Sequence, residues 1–163
     1  MMKSQHSKFM EMRSTMFVCF LIAIGITACK KDAGDEPERV QPTIQNLEIG
    51  INNNEIGVIG KDFHFNADVL VSGKIENVQV KILPRTGETY VKAWSHEITW
   101  DTYKDAKNTT VHKHFYIPTD AAEGKYDFVV VVNDQNGSKL EVKKSITIYA
   151  EANVPVNTII SHK

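Results

Sequence analysis

From residue 43 onward, apolar and polar residues alternate with a period of two in several short segments. In DFHFNADVLV (62–71), the apolar side chains fall on one face, and the histidine, asparagine and aspartate fall on the other. The same alternation occurs in VQVKILP (78–84), TTVHKHFYIP (109–118) and KSITIYA (144–150). No segment after Pro42 has the spacing of an amphipathic helix. The pattern therefore predicts half-buried β-strands throughout.

Turn signals and strand spacing predict how these strands are arranged. Asn136 and Gly137 interrupt KYDFVVVVNDQNGSKLEV (125–142), and this pair favours the positive φ angles of a tight hairpin. With TIQNLEIG (43–50) as the first strand, about seven strands fit between residues 43 and 150. We therefore expect an all-β fold, an immunoglobulin-like antiparallel β-sandwich. Tyr126, just after Gly124, resembles the tyrosine corner of such sandwiches, although a plain core tyrosine fits equally well.

The first 42 residues have the features of an export signal and a linker. Basic residues precede MFVCFLIAIGITA (16–28), an apolar run that is too short to span a bilayer and typical of a signal peptide. The residues ITAC (26–29) resemble a bacterial lipobox, which predicts cleavage after residue 28 and lipidation of Cys29. Residues 29–42 then form a flexible acidic linker, residues 43–150 the sandwich, and residues 151–163 a tail. We expect an outer membrane lipoprotein, facing the periplasm or exposed at the cell surface.

Charge and cysteine content exclude several classes of function. The chain has 19 basic and 20 acidic residues, and removing residues 1–28 takes away three basic residues and one acid, which leaves a net charge of −3. Nucleic-acid binding requires a concentrated basic surface, so nucleic acid is not an expected partner. The two cysteines, Cys19 and Cys29, lie in the signal peptide and at the lipidation site. The folded part therefore has no disulfide and no thiolate metal site.

Two histidines in the segment 109–118 are candidate metal ligands. His112 and His114 point to the same side of a strand, about 7 Å apart, so both imidazoles can bind one ion. Further ligands come from His64 and Asp68, which share one face of another strand, or from His96. This donor set suits zinc, copper or nickel, with zinc or copper as the expected cofactor. The alternative is that these residues are ordinary polar side chains on a solvated face.

The segment YVKAWSHEITWDTY (90–103) is a candidate recognition surface. Trp94, Trp100 and Tyr103 on a surface strand or loop could stack on a glycan or contact an outer-membrane protein such as a transporter. Alternatively, the aromatic residues fill the core, with Trp94 as the tryptophan between the two sheets. A spacer domain without a ligand is a third possibility.

The chain lacks the common catalytic motifs. It contains no G-x-S-x-G, no phosphate-binding glycine loop and no H-E-x-x-H. We therefore expect a binding module and not an enzyme.

The order of these motifs resembles a known family. The lipobox, the acidic linker, GKDFHFNADV (60–69), HKHFYIP (112–118) and EGKYDFVVVVNDQNG (123–137) are similar to lipoproteins of Bacteroidota that contain domain of unknown function 4625. The resemblance covers roughly residues 40–149 and implies the fold, the location and the histidines at positions 64, 112 and 114. Where the family pattern has a further histidine near the tyrosine corner, this chain has Asp127. The family has no assigned activity.

Overall fold

A computed structural model describes residues 39–160, and the regular elements of this part are β-strands and short 3-10 turns. The eight strands are β1 (Thr43–Ile49), β2 (Ile56–Val58), β3 (Asp62–Leu70), β4 (Ile75–Pro84), β5 (His96–Trp100), β6 (Asn108–Tyr116), β7 (Gly124–Asp134) and β8 (Lys139–Tyr149). The 3-10 turns are Ile51–Asn53, Asp101–Tyr103 and Glu151–Asn153. Within residues 39–160, no helix is long and apolar enough to cross a membrane.

The strands form two sheets that pack face to face. The three-stranded sheet has the order β1-β3-β6, and the five-stranded sheet has the order β2-β8-β7-β4-β5. All neighbouring strands are antiparallel except β2 and β8, which are parallel. The prediction of an all-β fold with two packed sheets is confirmed. Residues 39–160 contain eight strands where about seven were expected, and one of them, β2, is only three residues long.

The inner faces of the two sheets form the core. Phe63 and Phe65 of β3 are almost completely buried, and both rings contact Phe128 of β7, with centroids 5.7 and 5.9 Å apart. Burial of each such side chain stabilises the fold by about 1.5–3 kcal/mol. Because these inward residues alternate with His64 and Asn66, core packing directs the polar residues of β3 to the outer face of the three-stranded sheet.

The hairpin between β7 and β8 is formed as predicted, but with a longer turn. The amide of Gly137 donates to the carbonyl of Asp134, and the carboxylate of Asp134 accepts from the amide of Asn136. Only Gly137 of the predicted Asn-Gly pair has a positive φ, of 86°. Four residues connect the strands, and one residue of the predicted pair, not both, has the positive φ angle.

The hydroxyl of Tyr126 makes the bond expected of a tyrosine corner. It donates to the carbonyl oxygen of Ala122 at 3.0 Å, and the tyrosine side chain is fully buried. Burial raises the pKa of Tyr126 to about 12. The role of this residue is therefore structural.

The described part of the predicted tail has little regular structure. After the turn at Glu151–Asn153 the chain is irregular to residue 160, and Val156 and Ile159 are exposed. The side-chain amide of Asn54 donates to the carbonyl oxygen of Ile159 at 2.8 Å, so the tail contacts the segment between β1 and β2.

Candidate metal centre

Three histidines meet on the outer face of the three-stranded sheet. In the pairing of β3 with β6, His64 lies opposite His114, and Asn66 lies opposite His112. The three rings have centroids 5.0 to 5.3 Å apart. His64 Nδ1 lies 3.3 Å from His114 Nε2, which in turn lies 3.2 Å from His112 Nε2. One nitrogen from each ring thus points to a common centre, and we call these residues the three-histidine cluster.

Two carboxylates contact the cluster from behind the rings. Asp62 Oδ2 lies 2.6 Å from His114 Nδ1, and Glu48 Oε2 lies 3.4 Å from His64 Nε2. In both rings, the nitrogen that faces the carboxylate is not the nitrogen that faces the other histidines. Metal-binding histidines typically donate their second ring N–H to a carboxylate in this way, which fixes the ring and increases its basicity.

The contact with Asp62 fixes the orientation of one ring. A neutral imidazole carries one N–H, and a carboxylate accepts but cannot donate when it is ionised. In neutral His114 the N–H therefore lies on Nδ1 toward Asp62, and Nε2 is the acceptor that faces His64 Nδ1 and His112 Nε2. In His64, the tautomer with the N–H on Nε2, toward Glu48, is the one that offers Nδ1 to a metal ion at the common centre.

The cluster combines a buried ligand with two accessible ones. The side chain of His64 is only 6% exposed, whereas that of His114 is 40% exposed and His112 is also exposed. Burial lowers the pKa of His64, and the nearby carboxylate of Glu48 offsets part of this effect. His64 is therefore neutral at neutral pH, which is the form that binds metal ions.

The structure does not bring Asp68 to the cluster, although the sequence suggested it as a ligand. Asp68 is on the same face of β3 as His64, but four residues along an extended strand correspond to about 13 Å. Its carboxylate accepts hydrogen bonds from Thr110 at 2.6 Å and from Asn46 at 2.7 Å. These bonds lower the pKa of Asp68 and hold it away from the histidines.

His96, the fifth candidate ligand, also lies outside the cluster. It begins β5 in the other sheet, and its ring stacks on Trp94 and contacts Phe115. Phe115 is on the inner face of β6, opposite to the face that carries His112 and His114, because neighbouring strand residues point in opposite directions. Burial lowers the pKa of His96. Its environment is therefore that of a packing residue.

The aromatic residues predicted for recognition mostly contribute to packing. Trp94 is 8% exposed and packs edge-on against Tyr126, with centroids 5.3 Å apart. It lies in the loop before β5 and not on a strand. Trp100 is half-buried and stacks on Phe65. The burial of these tryptophans counts against a recognition surface.

Tyr103 and Trp100 are instead linked by a lysine at the open edge of the sandwich. The ammonium group of Lys113 lies 5.0 Å from the centre of the Tyr103 ring and 5.9 Å from that of Trp100. Both aromatic residues pack against the core with their inner sides. The lysine thus lies beside both partly exposed rings.

Sequence reasoning missed Glu48 and Asp62, the two carboxylates of the site. Asp62 precedes His64 by two residues, so the period of a strand already placed both on one face. No comparable spacing in the sequence placed Glu48 on the same face as the histidines. A bulge in β1, with Asn46 at a positive φ of 48°, shifts the register so that Glu48 lies opposite Asn66 on the outer face.

The predicted signal peptide, Cys29 and the linker as far as residue 38 lie outside the described residues, as do residues 161–163.

Comparison with known proteins places the chain in a family and provides distant structural neighbours. A family model described as domain of unknown function (DUF4625) matches residues 27–149. A search of curated proteins found no match. A Niemann-Pick type C2 protein from Japanese carpenter ant aligns with 11% identity and a TM-score of 0.47, over 68% of this chain and 95% of that protein. The sporulation control protein Spo0M from Bacillus subtilis aligns with 12% identity and a TM-score of 0.41, over 69% and 51%. Neither similarity supports an inference about this chain.

Proposed function

The chain belongs to the DUF4625 family, and we propose that it binds a transition-metal ion, zinc or copper, through the three-histidine cluster. The observation that carries this proposal is the convergence of three imidazole nitrogens, one each from His64, His112 and His114, that all lie within 4.8 Å of one another. A carboxylate lies behind two of the rings, at 2.6 Å from His114 Nδ1 and 3.4 Å from His64 Nε2. A dication at the common centre would take one coordinate bond from each of the three rings.

The donor set favours zinc or copper over the hard cations. Imidazole nitrogen suits zinc, copper and nickel, whereas magnesium and calcium take oxygen ligands. Three histidines are also a known protein ligand set for zinc, with zinc–nitrogen distances of about 2.0–2.1 Å. The two carboxylates, Glu48 and Asp62, balance the charge of a bound dication.

Calorimetric titration of the purified full-length chain with zinc and with copper tests the proposal. We expect one site with micromolar or tighter affinity, lost in the double variant His112→Ala/His114→Ala. The matched control is His96→Ala, which removes a histidine outside the cluster and should leave binding unchanged. Absence of binding to the wild-type chain, or equal binding by the double variant, contradicts the proposal.

We further propose that the domain is a binding module, and not an enzyme, that is tethered to the cell envelope by a lipid on Cys29. The apolar run, the residues ITAC and the acidic linker support this location. Two acyl chains suffice for stable attachment to a membrane. Expression in a bacterial host with labelled palmitate tests it, because Cys29→Ala should lose both the label and the membrane fraction. A labelled Cys29→Ala protein contradicts the proposed attachment site.

We also propose that the sandwich is of the immunoglobulin-like type. The division of the strands into β1-β3-β6 and β2-β8-β7-β4-β5 supports this classification. The bond from the Tyr126 hydroxyl to Ala122 supports it further, since a tyrosine in this position is typical of such domains. An experimental structure with a different strand order would contradict it.

A further inference from the structure

We infer that the metal in the three-histidine cluster keeps one coordination position for an external ligand, and that a neutral nitrogen donor such as imidazole fills it. This inference rests on the proposed metal binding. It extends that function from holding an ion to forming a ternary complex, in which a histidine of another molecule is the expected ligand class.

The first argument is the direction in which the polar groups of the site point. Asp62 and Glu48 contact the outer nitrogens of His114 and His64, at 2.6 and 3.4 Å, and so lie behind the rings, away from the common centre. Both carboxylates are already engaged as acceptors there. Glu48 also accepts a bond of 2.8 Å from the backbone amide of Asn52 through its other oxygen. The two carboxylates, which could otherwise complete the coordination of the metal ion, are thus directed to other partners.

The second argument is access. His64 forms the buried floor of the site, at 6% exposure, while His112 and His114 are exposed at the surface of the sheet. An ion held by these three nitrogens therefore has protein on the His64 side and solvent on the other. Zinc takes four ligands, and a site with three protein ligands keeps the fourth position for water or another molecule.

The third argument concerns the charge of the incoming ligand. The two carboxylates at the cluster, Asp62 and Glu48, already balance the charge of a dication. A neutral donor keeps this balance, whereas an anion would leave the centre with a net negative charge close to both carboxylates. We therefore expect imidazole to bind more tightly than azide.

Asn66 provides a control for the fourth position. It lies directly opposite His112 in the β3–β6 ladder, on the same outer face, and such cross-strand pairs have Cβ atoms about 4.5–5.5 Å apart. Its amide is a poor ligand for zinc or cobalt compared with imidazole. In the variant Asn66→His, a fourth imidazole of the chain itself can occupy the open position.

The experiment uses cobalt(II), whose visible absorption reports its ligands, bound to the purified full-length chain and titrated with imidazole and separately with azide. We expect imidazole to shift the bands in a saturable way with the cobalt still bound after gel filtration. Azide should require at least tenfold higher concentration. Asn66→His should resemble the imidazole-saturated wild type before any addition and should not respond further.

The outcomes separate the inference from the proposed function. Cobalt that binds through the cluster but gives unchanged bands with imidazole overturns the open position and leaves metal binding intact. Bands that disappear because imidazole extracts the cobalt also overturn it, as does a response to azide at lower concentration than to imidazole. If cobalt, zinc and copper all fail to bind, the proposed function itself is refuted. The wild-type titration decides these outcomes even if Asn66→His does not fold.

Discussion

The contact between Asp62 and His114 gives a quantitative prediction about metal affinity. Asp62→Asn keeps the size of the side chain but removes the charge that holds the His114 proton on Nδ1. Loss of such a carboxylate partner typically weakens metal binding 10- to 100-fold. The bond is short, at 2.6 Å, but the Asp62 side chain is 33% exposed, so water replaces part of the interaction. We therefore expect the lower end of this range, about tenfold, or about 1.4 kcal/mol of binding free energy.

Competition with a chromophoric zinc chelator at pH 7.5 measures this change in Kd. Glu48→Gln should have a smaller effect, because its contact with His64 is longer, at 3.4 Å. The matched control is Asp68→Asn, on the same face but bonded to Thr110 and Asn46, which should leave the Kd unchanged.

Two results would refute this reasoning. The first is a folded Asp62→Asn variant with the wild-type Kd, which would mean that the carboxylate does not orient the ring. The second is an equal loss of affinity in Asp68→Asn, which would mean that the general negative charge of the face attracts the ion.

Three further predictions concern stability. Zinc at about 100 times its Kd should increase the free energy of unfolding by about 2.7 kcal/mol, which is seen as a higher thermal midpoint. An equal increase in a variant without the three-histidine cluster would contradict binding at this site. Burial lowers the pKa of His64 and of His96 below 6.5. On acidification, the unfolded chain therefore binds protons at these histidines before the folded protein does. The free energy of unfolding of the metal-free protein should thus be highest above pH 6.5 and decrease as the pH falls through this value. Equal urea midpoints at pH 7.5 and 5.5, or the same pH dependence after replacing both histidines by glutamine, would contradict this. Tyr126→Phe should lower the free energy of unfolding by about 1–3 kcal/mol, because it leaves the buried carbonyl of Ala122 without the hydroxyl that donates to it. A decrease below about 0.5 kcal/mol in urea denaturation would contradict this structural role.

The strands could be predicted because their signals are local. The alternation in residues 62–71 and in 109–118 places the apolar residues inward, and it also places His112 and His114 on one face. The bond from the Tyr126 hydroxyl to the Ala122 carbonyl is also local, since four residues separate the two partners. The loop between β4 and β5 was harder to predict, because its aromatic residues are positioned by contacts with Tyr126 and not by a strand of their own.

The assembly of the site depends on long-range register, which the sequence does not reveal. His64 reaches the pair on β6 only because β3 and β6 are neighbours and His64 lies opposite His114, and a slip by one residue would turn either set to the core. The same register separates Asp68 from the cluster. A bulge in β1 places Glu48 on the outer face of the sheet, and the position of this bulge depends on the packing of β1 against β3.

Diffraction from zinc-soaked crystals, with data collected on both sides of the zinc absorption edge, tests the central claim most directly. We expect an anomalous peak about 2.0–2.1 Å from His64 Nδ1, His112 Nε2 and His114 Nε2. No peak at this position, or a peak bound by Asp68 or His96 in its place, would contradict the account.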